Sequence, residues 1–288
     1  MSAPAHTAER DLAAVATVAE LRRSVATWRG VRETVALVPT MGALHAGHLA
    51  LVARARTLGR RVVASIFVNP TQFGPNEDLA RYPRDVAGDR RKLAAAGCDL
   101  AYLPTVAEIY PDGFTARVDP GPLGAVLEGR FRPGHFAGVA TVVAKLLLQA
   151  APDVAVFGEK DFQQFLVIRR IVRDLDIPVR IEGVPTVRES DGLALSSRNA
   201  YLSADERARA PLLHQTLREV ARGFAGGDRA APERGIRALL AAGFAKVDYL
   251  EVRDAETLDP PQSSRPARVL AAVWLGRTRL IDNLALAP

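Results

Sequence analysis

The chain has 288 residues, is 48% hydrophobic and 24% charged, and carries one cysteine, Cys98. That length permits a sizeable core and points to two domains, while the lone cysteine excludes an internal disulfide and a cysteine-rich zinc site and favours a reducing compartment. The net charge of +6 rests on 38 basic residues, only four of them lysines, without a dense basic run or interleaved aromatics. It therefore reads as a solvated arginine-rich surface rather than a nucleic-acid site, and an anionic small substrate is compatible with it.

The first twelve residues read as a loose arm without the apolar core of a signal peptide, and no run is long enough to span a membrane. The expected location is the cytoplasm, with no membrane partner. Helical spacing runs from Val18 to Trp28 and stops at Gly30. Thr34 to Val38 is a short apolar run that predicts a buried strand. It is followed by Pro39-Thr40-Met41-Gly42-Ala43-Leu44-His45-Ala46-Gly47-His48 and then a helix over Leu49 to Arg56. Val62 to Val68 is a second buried strand leading into the polar loop Asn69 to Gly74. A helix over Asp85 to Ala96 and a third strand over Leu100 to Leu103 come next. Pro104 to Pro133, rich in proline and glycine, predicts an irregular excursion.

A long apolar helix is expected from Gly134 to about Gln149, then a strand over Val154 to Phe157 that ends in Gly158-Glu159-Lys160-Asp161. A helix to Leu175 and a strand over Val179 to Val184 follow. This alternation predicts an α/β fold, a Rossmann-like parallel sheet with helices on both faces, whose ligands bind at the carboxyl ends of the strands. Near Pro185 the pattern changes. A polar loop, Gly192 to Asn199, precedes two helices, Ala204 to Phe224 and Ala231 to Ala242. Val247 to Val252, Arg268 to Leu275 and Thr278 to Ile281 alternate apolar and polar residues, as antiparallel strands with one solvated face do. Residues 1–186 are thus read as the first domain, and 187–288 as a smaller α+β domain closing over the cleft.

The chemistry gathers at strand ends. Two glycines let the turn at Met41 to His48 bend sharply and approach a ligand, and the helix that starts there aims amides and partial positive charge at it. His45 and His48 share one helical face. Their spacing is not that of a zinc-protease helix, and packed core histidines would be the plainer reading of either one alone. Beside glycines at a strand end they suit contact with a phosphoryl oxygen. Lys160 supplies a point charge for phosphate, with Glu159 and Asp161 orienting it or meeting ribose hydroxyls. Ser196-Ser197-Arg198 reads as a capping loop or as a polyphosphate clamp. Gln72 and Gln164 are uncharged donor–acceptors suited to a substrate with hydroxyl and carboxylate groups. A Walker-type phosphate loop and a dinucleotide fingerprint are both missing, which removes the usual support for kinase and dehydrogenase readings.

The histidine string resembles the signature of the pantoate–β-alanine ligase family. So do Ser65 to Phe73, Phe157 to Gln164, and Ser196 to Asn199 with Tyr201-Leu202, supported by Tyr82-Pro83-Arg84 and His135 to Val139. The resemblance follows family order from about Val35 to Asn283. It implies the nucleotidyl-transferase fold shared with class I aminoacyl-tRNA synthetases. It also implies a reaction in which ATP and pantoate, with magnesium, give pantoyl adenylate and pyrophosphate, after which β-alanine releases AMP. By that likeness the ATP site comprises Met41, Gly42, Ala43, Leu44, His45, Ala46, Gly47 and His48, then Gly158, Glu159, Lys160 and Asp161, with Val187, Leu195, Ser196, Ser197 and Arg198. His45 and His48 would stabilise the α-phosphate with Lys160, Ser196, Ser197 and Arg198, His48 being the proton donor. Gln72 would hold pantoate and β-alanine, Gln164 pantoate, and Asn69 would help orient the substrate. Leu195 stands where relatives carry methionine, a swap of similar volume. Asp89 is the best protein group for magnesium, whose main ligands would be waters and nucleotide phosphates. The resemblance further implies a homodimer. The rival functions are a different adenylate- or CMP-transferring enzyme, a zinc hydrolase using His45 and His48, and a non-enzymatic binding module.

Overall fold

The structure is a computed structural model that describes residues 12–75 and 77–286. The expected N-terminal arm lies, apart from Leu12, outside the described residues. Six strands form one parallel sheet: β1 (Ala14–Val15), β2 (Val35–Thr40), β3 (Arg61–Ile66), β4 (Leu100–Tyr102), β5 (Val154–Gly158) and β6 (Arg180–Val184), in the order β1-β4-β3-β2-β5-β6. The two-residue β1, too short to leave a periodic signal, pairs with β4 at the sheet edge. From β2 the chain steps outward to β3 and β4, then returns to the other side of β2 for β5 and β6. The direction reverses between β2 and β5, and that switch point is where a parallel sheet opens a crevice.

Strand periodicity divides the core in two. Leu37, Val63, Tyr102, Ala155 and Phe157 face α1 (Val18–Gly30), α6 (His135–Ala150) and α7 (Phe162–Asp174). Ala36, Val38, Ala64, Val154 and Val156 face α2 (Ala46–Leu58) and α3 (Val86–Ala95). Both faces are covered, as the near-continuous apolar runs require.

The excursion after β4 is not wholly irregular. It holds two single-turn helices, α4 (Val106–Ile109) and α5 (Glu128–Phe131). The helix expected from Ala204 to Phe224 is two helices, α8 (Ala204–Arg209) and α9 (Leu212–Ala225). They part at Pro211, which has no N–H to continue the ladder. α10 (Ala231–Ala241) precedes the antiparallel sheet β7 (Lys246–Asp254), β8 (Ala267–Leu275) and β9 (Thr278–Ala285), paired in that order. Leu213, Leu217 and Val220 of α9 and Leu239 of α10 cover one face of this sheet. Its Tyr249, Leu270 and Ala272 reach instead into the core of the parallel sheet, so the two layers share apolar surface. Among the described residues no helix is long and apolar enough to cross a membrane.

Helix α6 sits hard against the Asn69–Gln72 loop. A Cβ at Gly138 would lie 2.3 Å from the Thr71 carbonyl oxygen. In an open helix, alanine in place of glycine gains about 1 kcal/mol. Here overpacking, which costs about 1–3 kcal/mol, outweighs that gain. Gly138→Ala is therefore expected to lower unfolding free energy by about 1 kcal/mol in urea denaturation; a stabilised variant would contradict the close approach.

Candidate active site

The turn after β2 takes an unusual backbone path. Gly42 has φ +83° and Ala43, which has a Cβ, has φ 51°. Such a residue persists only where its surroundings over-determine it. The cause is Asp89 of α3, 1% exposed, whose two carboxylate oxygens accept the Ala43 and Leu44 amides, each at 2.8 Å. Lys92 Nζ donates to the Leu44 carbonyl at 2.8 Å and closes the same clamp. Asp89, singled out above for magnesium, accepts a turn amide at each oxygen, which gives it a positioning role in this turn.

His45 then caps α2. Its Nδ1 accepts the Gly47 amide at 3.2 Å, and His48 Nδ1 accepts the His45 amide at 3.3 Å. A Cβ on Gly47 would meet the His45 ring at 2.9 Å, so the second glycine makes room for the cap. The ring centroids lie 4.1 Å apart. With both Nδ1 atoms occupied as acceptors, each neutral ring carries its proton on Nε2, and neither Nε2 has a protein partner among the described residues. Burial, with the Lys160 charge second, lowers the His45 pKa to about 4; burial, with His45 second, lowers that of His48 to about 3. Both imidazoles are neutral Nε2–H donors near pH 7.

Three further segments meet this turn. A cavity of about 220 Å³ is lined from the histidine turn by Met41, His45, Gly47 and His48, and from the lysine turn by Gly158, Lys160 and Asp161. Asn69, Gln72 and Gln164 close one side of it, and Val187 with Leu195, Ser196, Ser197 and Arg198 another. Gly42, Ala43, Leu44 and Ala46 do not line it, and they shape the turn from behind. A wider cleft of about 710 Å³ shares Gln72, Lys160, Gln164 and Arg198 and extends to Tyr249 and Arg279 on the antiparallel sheet.

Each group is held in place. Asn69, 1% exposed, donates to Gln72 Oε1 at 3.2 Å and accepts from Tyr110 at 2.8 Å. Gln72 Nε2 lies 2.8 Å from Met41 Sδ. Leu195 N donates to the Val187 carbonyl at 3.0 Å, pairing Val187 with the start of the serine–arginine loop. Arg198 makes a two-pronged bond to Asp78, with Nε at 3.0 Å and Nη2 at 2.9 Å. The Tyr82 and Ser197 hydroxyls lie 3.4 Å apart. Glu159 faces away from the cavity to Arg268 at 3.1 Å.

Residues not picked out as site groups in the sequence hold these turns in place. Asn283 of β9, 3% exposed, donates one Nδ2 to the Glu159 and Lys160 carbonyls, both at 2.9 Å. Arg188, next to Val187, pairs with Asp282 at 2.6 and 2.9 Å. Arg132 and His135 hold the Gln72 carbonyl, and both line the cavity. Only the His135 to Val139 string had left a mark in the sequence, and that by resemblance; the others act across 60 to 124 residues, beyond any local spacing.

A doubly wound parallel sheet with donors gathered at its switch point defines the class as a Rossmann-like α/β enzyme. A family model described as pantoate–β-alanine ligase matches residues 13–285. Pantothenate synthetase from Paramagnetospirillum magneticum is 59% identical over 277 residues, covering 95% of this chain and 98% of its own. That from Rhodospirillum rubrum is 56% identical, covering 96% and 100%. The chain belongs to the pantoate–β-alanine ligase family and is a ligase. A crystal structure of the Thermus thermophilus enzyme superposes with a TM-score of 0.90 at 52% identity, covering 96% of this chain and 100% of that one. The Francisella tularensis ligase, complexed with β,γ ATP and β-alanine, gives 0.81 at 33% identity, covering 95% and 97%.

Burial also lowers the pKa of His135 to about 4. A histidine with a lowered folded pKa takes up its proton more readily when unfolded, so stability falls as pH drops from 6.5 towards these values. In NMR titration of the unliganded protein, the ring signals of His45, His48 and His135 are expected to stay in the neutral form down to about pH 5. A midpoint near 6.5 for His45 or His48 would rule out the neutral-donor assignment.

Proposed function

We propose that this ligase condenses pantoate with β-alanine using ATP, through a pantoyl-adenylate intermediate, and releases pyrophosphate and then AMP. One observation carries this reading: two neutral imidazoles, one lysine, a hydroxyl–arginine loop and two glutamines line a single cavity at the sheet's switch point. Family membership supports it, as does the ATP-analogue and β-alanine complex of the Francisella relative.

In the first step a pantoate carboxylate oxygen attacks the α-phosphorus, and the bond from that phosphorus to the bridging oxygen breaks, its electron pair leaving with pyrophosphate. Negative charge shifts across the α-phosphate as this happens. The Nε2–H groups of the neutral His45 and His48 donate hydrogen bonds to it and keep their protons, so His48 acts as a hydrogen-bond donor. Lys160 adds a fixed positive charge. Ser196, Ser197 and Arg198 address the departing phosphates, and Met41 to His48 offer helix-start amides. Gln72 and Gln164 hold pantoate by its hydroxyl and carboxylate oxygens, Asn69 fixing the Gln72 amide. In the second step the free amine of β-alanine, oriented by Gln72, attacks the acyl carbon. The acyl–oxygen bond breaks, AMP leaves, and the surplus ammonium proton passes to solvent. A covered cleft keeps water from the acyl adenylate.

Magnesium is implied by the same family. Among the described residues no group of three or more His, Cys, Asp or Glu could hold a metal ion. The ion would bind through nucleotide phosphates and water, as magnesium commonly does, and would neutralise polyphosphate charge. The absence of such a group also leaves His45 and His48 without the partners a zinc hydrolase needs. On the resemblance alone, we assign the protein to the cytoplasm as a homodimer.

AMP release measured with ATP, pantoate and β-alanine, omitting each in turn, is expected to require all three. Pyrophosphate exchange is expected to require pantoate but not β-alanine. Exchange without pantoate would point to a different adenylate. His48→Ala is expected to slow pantoate-dependent exchange by about 10²–10³-fold with the fold retained by circular dichroism; near-normal exchange would remove His48 from the reaction.

A further inference from the structure

The Gln72 backbone carbonyl, on the same residue as the substrate-facing amide, is gripped by two side chains. His135 Nδ1 lies 2.8 Å from this oxygen and Arg132 Nη2 donates to it at 3.2 Å. Arg132 Nη1 lies 3.2 Å from His135 Nε2. A carbonyl only accepts and a guanidinium only donates. His135 must therefore be neutral, with its proton on Nδ1 and a lone pair on Nε2, the opposite tautomer from His45 and His48. Its lowered pKa, caused by burial and then by the Arg132 charge, agrees with this.

Arg132 has no donor to spare. Nε donates to Glu77 at 2.7 Å, Nη2 to Glu77 at 2.5 Å as well as to Gln72, and Nη1 to Glu128 at 3.2 Å as well as to His135. Its five N–H groups meet five acceptors, a pattern that lysine with three donors cannot reproduce. Glu77 neighbours Asp78, the partner of Arg198, and Glu128 is held in turn by Arg279 of β9 at 2.6 Å. Gln72 itself is 9% exposed, and its loop packs so closely on Gly138 that a Cβ there would meet the Thr71 carbonyl.

We propose that Arg132 and His135, which also line the cavity, form a positioning unit for the proposed reaction: a hydrogen-bonded pair that fixes the Gln72 backbone and so aims its amide at the pantoate subsite. The proposal rests on the reading of Gln72 given above.

A double-mutant cycle tests it. His135→Phe is expected to raise the pantoate KM about tenfold or more while the ATP KM stays within about threefold. His135→Asn, whose side-chain N–H can stand where Nδ1–H stood, is expected to recover most of that loss. Arg132→Lys, keeping charge but losing the fork, should raise the pantoate KM in the same direction. In a Gln72→Ala background, His135→Phe should change kcat/KM less than about twofold, because its effect runs through the missing amide. Equal losses with and without the Gln72 side chain, or pantoate and ATP KM values rising together, would overturn the unit. If Gln72→Ala leaves the pantoate KM unchanged, the reading of Gln72 falls and the unit falls with it. Should His135→Phe fail to fold, the same cycle with Arg132→Lys decides, read the same way.

Discussion

One buried carboxylate holds the site together. Asp89 pulls the Ala43 and Leu44 amides towards α3 and keeps Ala43 in a left-handed conformation that an alanine does not choose alone. That bend delivers His45 to the helix cap, and the cap fixes the tautomer and direction of both imidazoles. Without it α2 could start earlier or later, and the two rings would lose their common aim. A network with every member satisfied specifies geometry more than it adds stability.

The antiparallel sheet contributes by reach. Along β9, Arg279 meets Glu128, Asp282 meets Arg188, and Asn283 holds the lysine turn. These contacts tie the segment at Arg188, the lysine turn and the segment before α6 to one rigid strand. Buried ion pairs of this kind are a poor source of net stability, because desolvation offsets most of their attraction. Breaking one leaves a charge without its partner, so they penalise any other arrangement of the same elements. Precision at the cavity follows from that penalty.

Electrostatics divides the labour at the cavity. Lys160 is the fixed charge, whereas burial keeps His45 and His48 neutral and leaves them as directional donors. Arg198 is anchored on Asp78, so the loop that carries it is braced against the 77–80 turn. The arginines read from composition as a solvated surface include many that are just that, such as Arg60 and Arg173. Arg132, Arg188, Arg198, Arg268 and Arg279 are instead paired with carboxylates between elements.

Local periodicity and turn chemistry carried most of the architecture. Runs such as Val35 to Val38 and Val154 to Phe157 announce strands buried on both faces, and their alternation with helices dictates a parallel sheet. The Gly-rich histidine turn, the lysine turn and the serine–arginine loop were legible because each places unusual residues at a strand end or loop. Where one helix becomes two, Pro211 itself carries the cue. Tertiary structure alone decided the strand order and hence which turns share a crevice, the tautomers of His45, His48 and His135, and the partners of Asp89, Asn283 and Arg132. The physical reason is range: periodicity and capping act over a few residues, whereas hydrogen bonds that span 45 to 124 positions exist only once the chain has closed on itself.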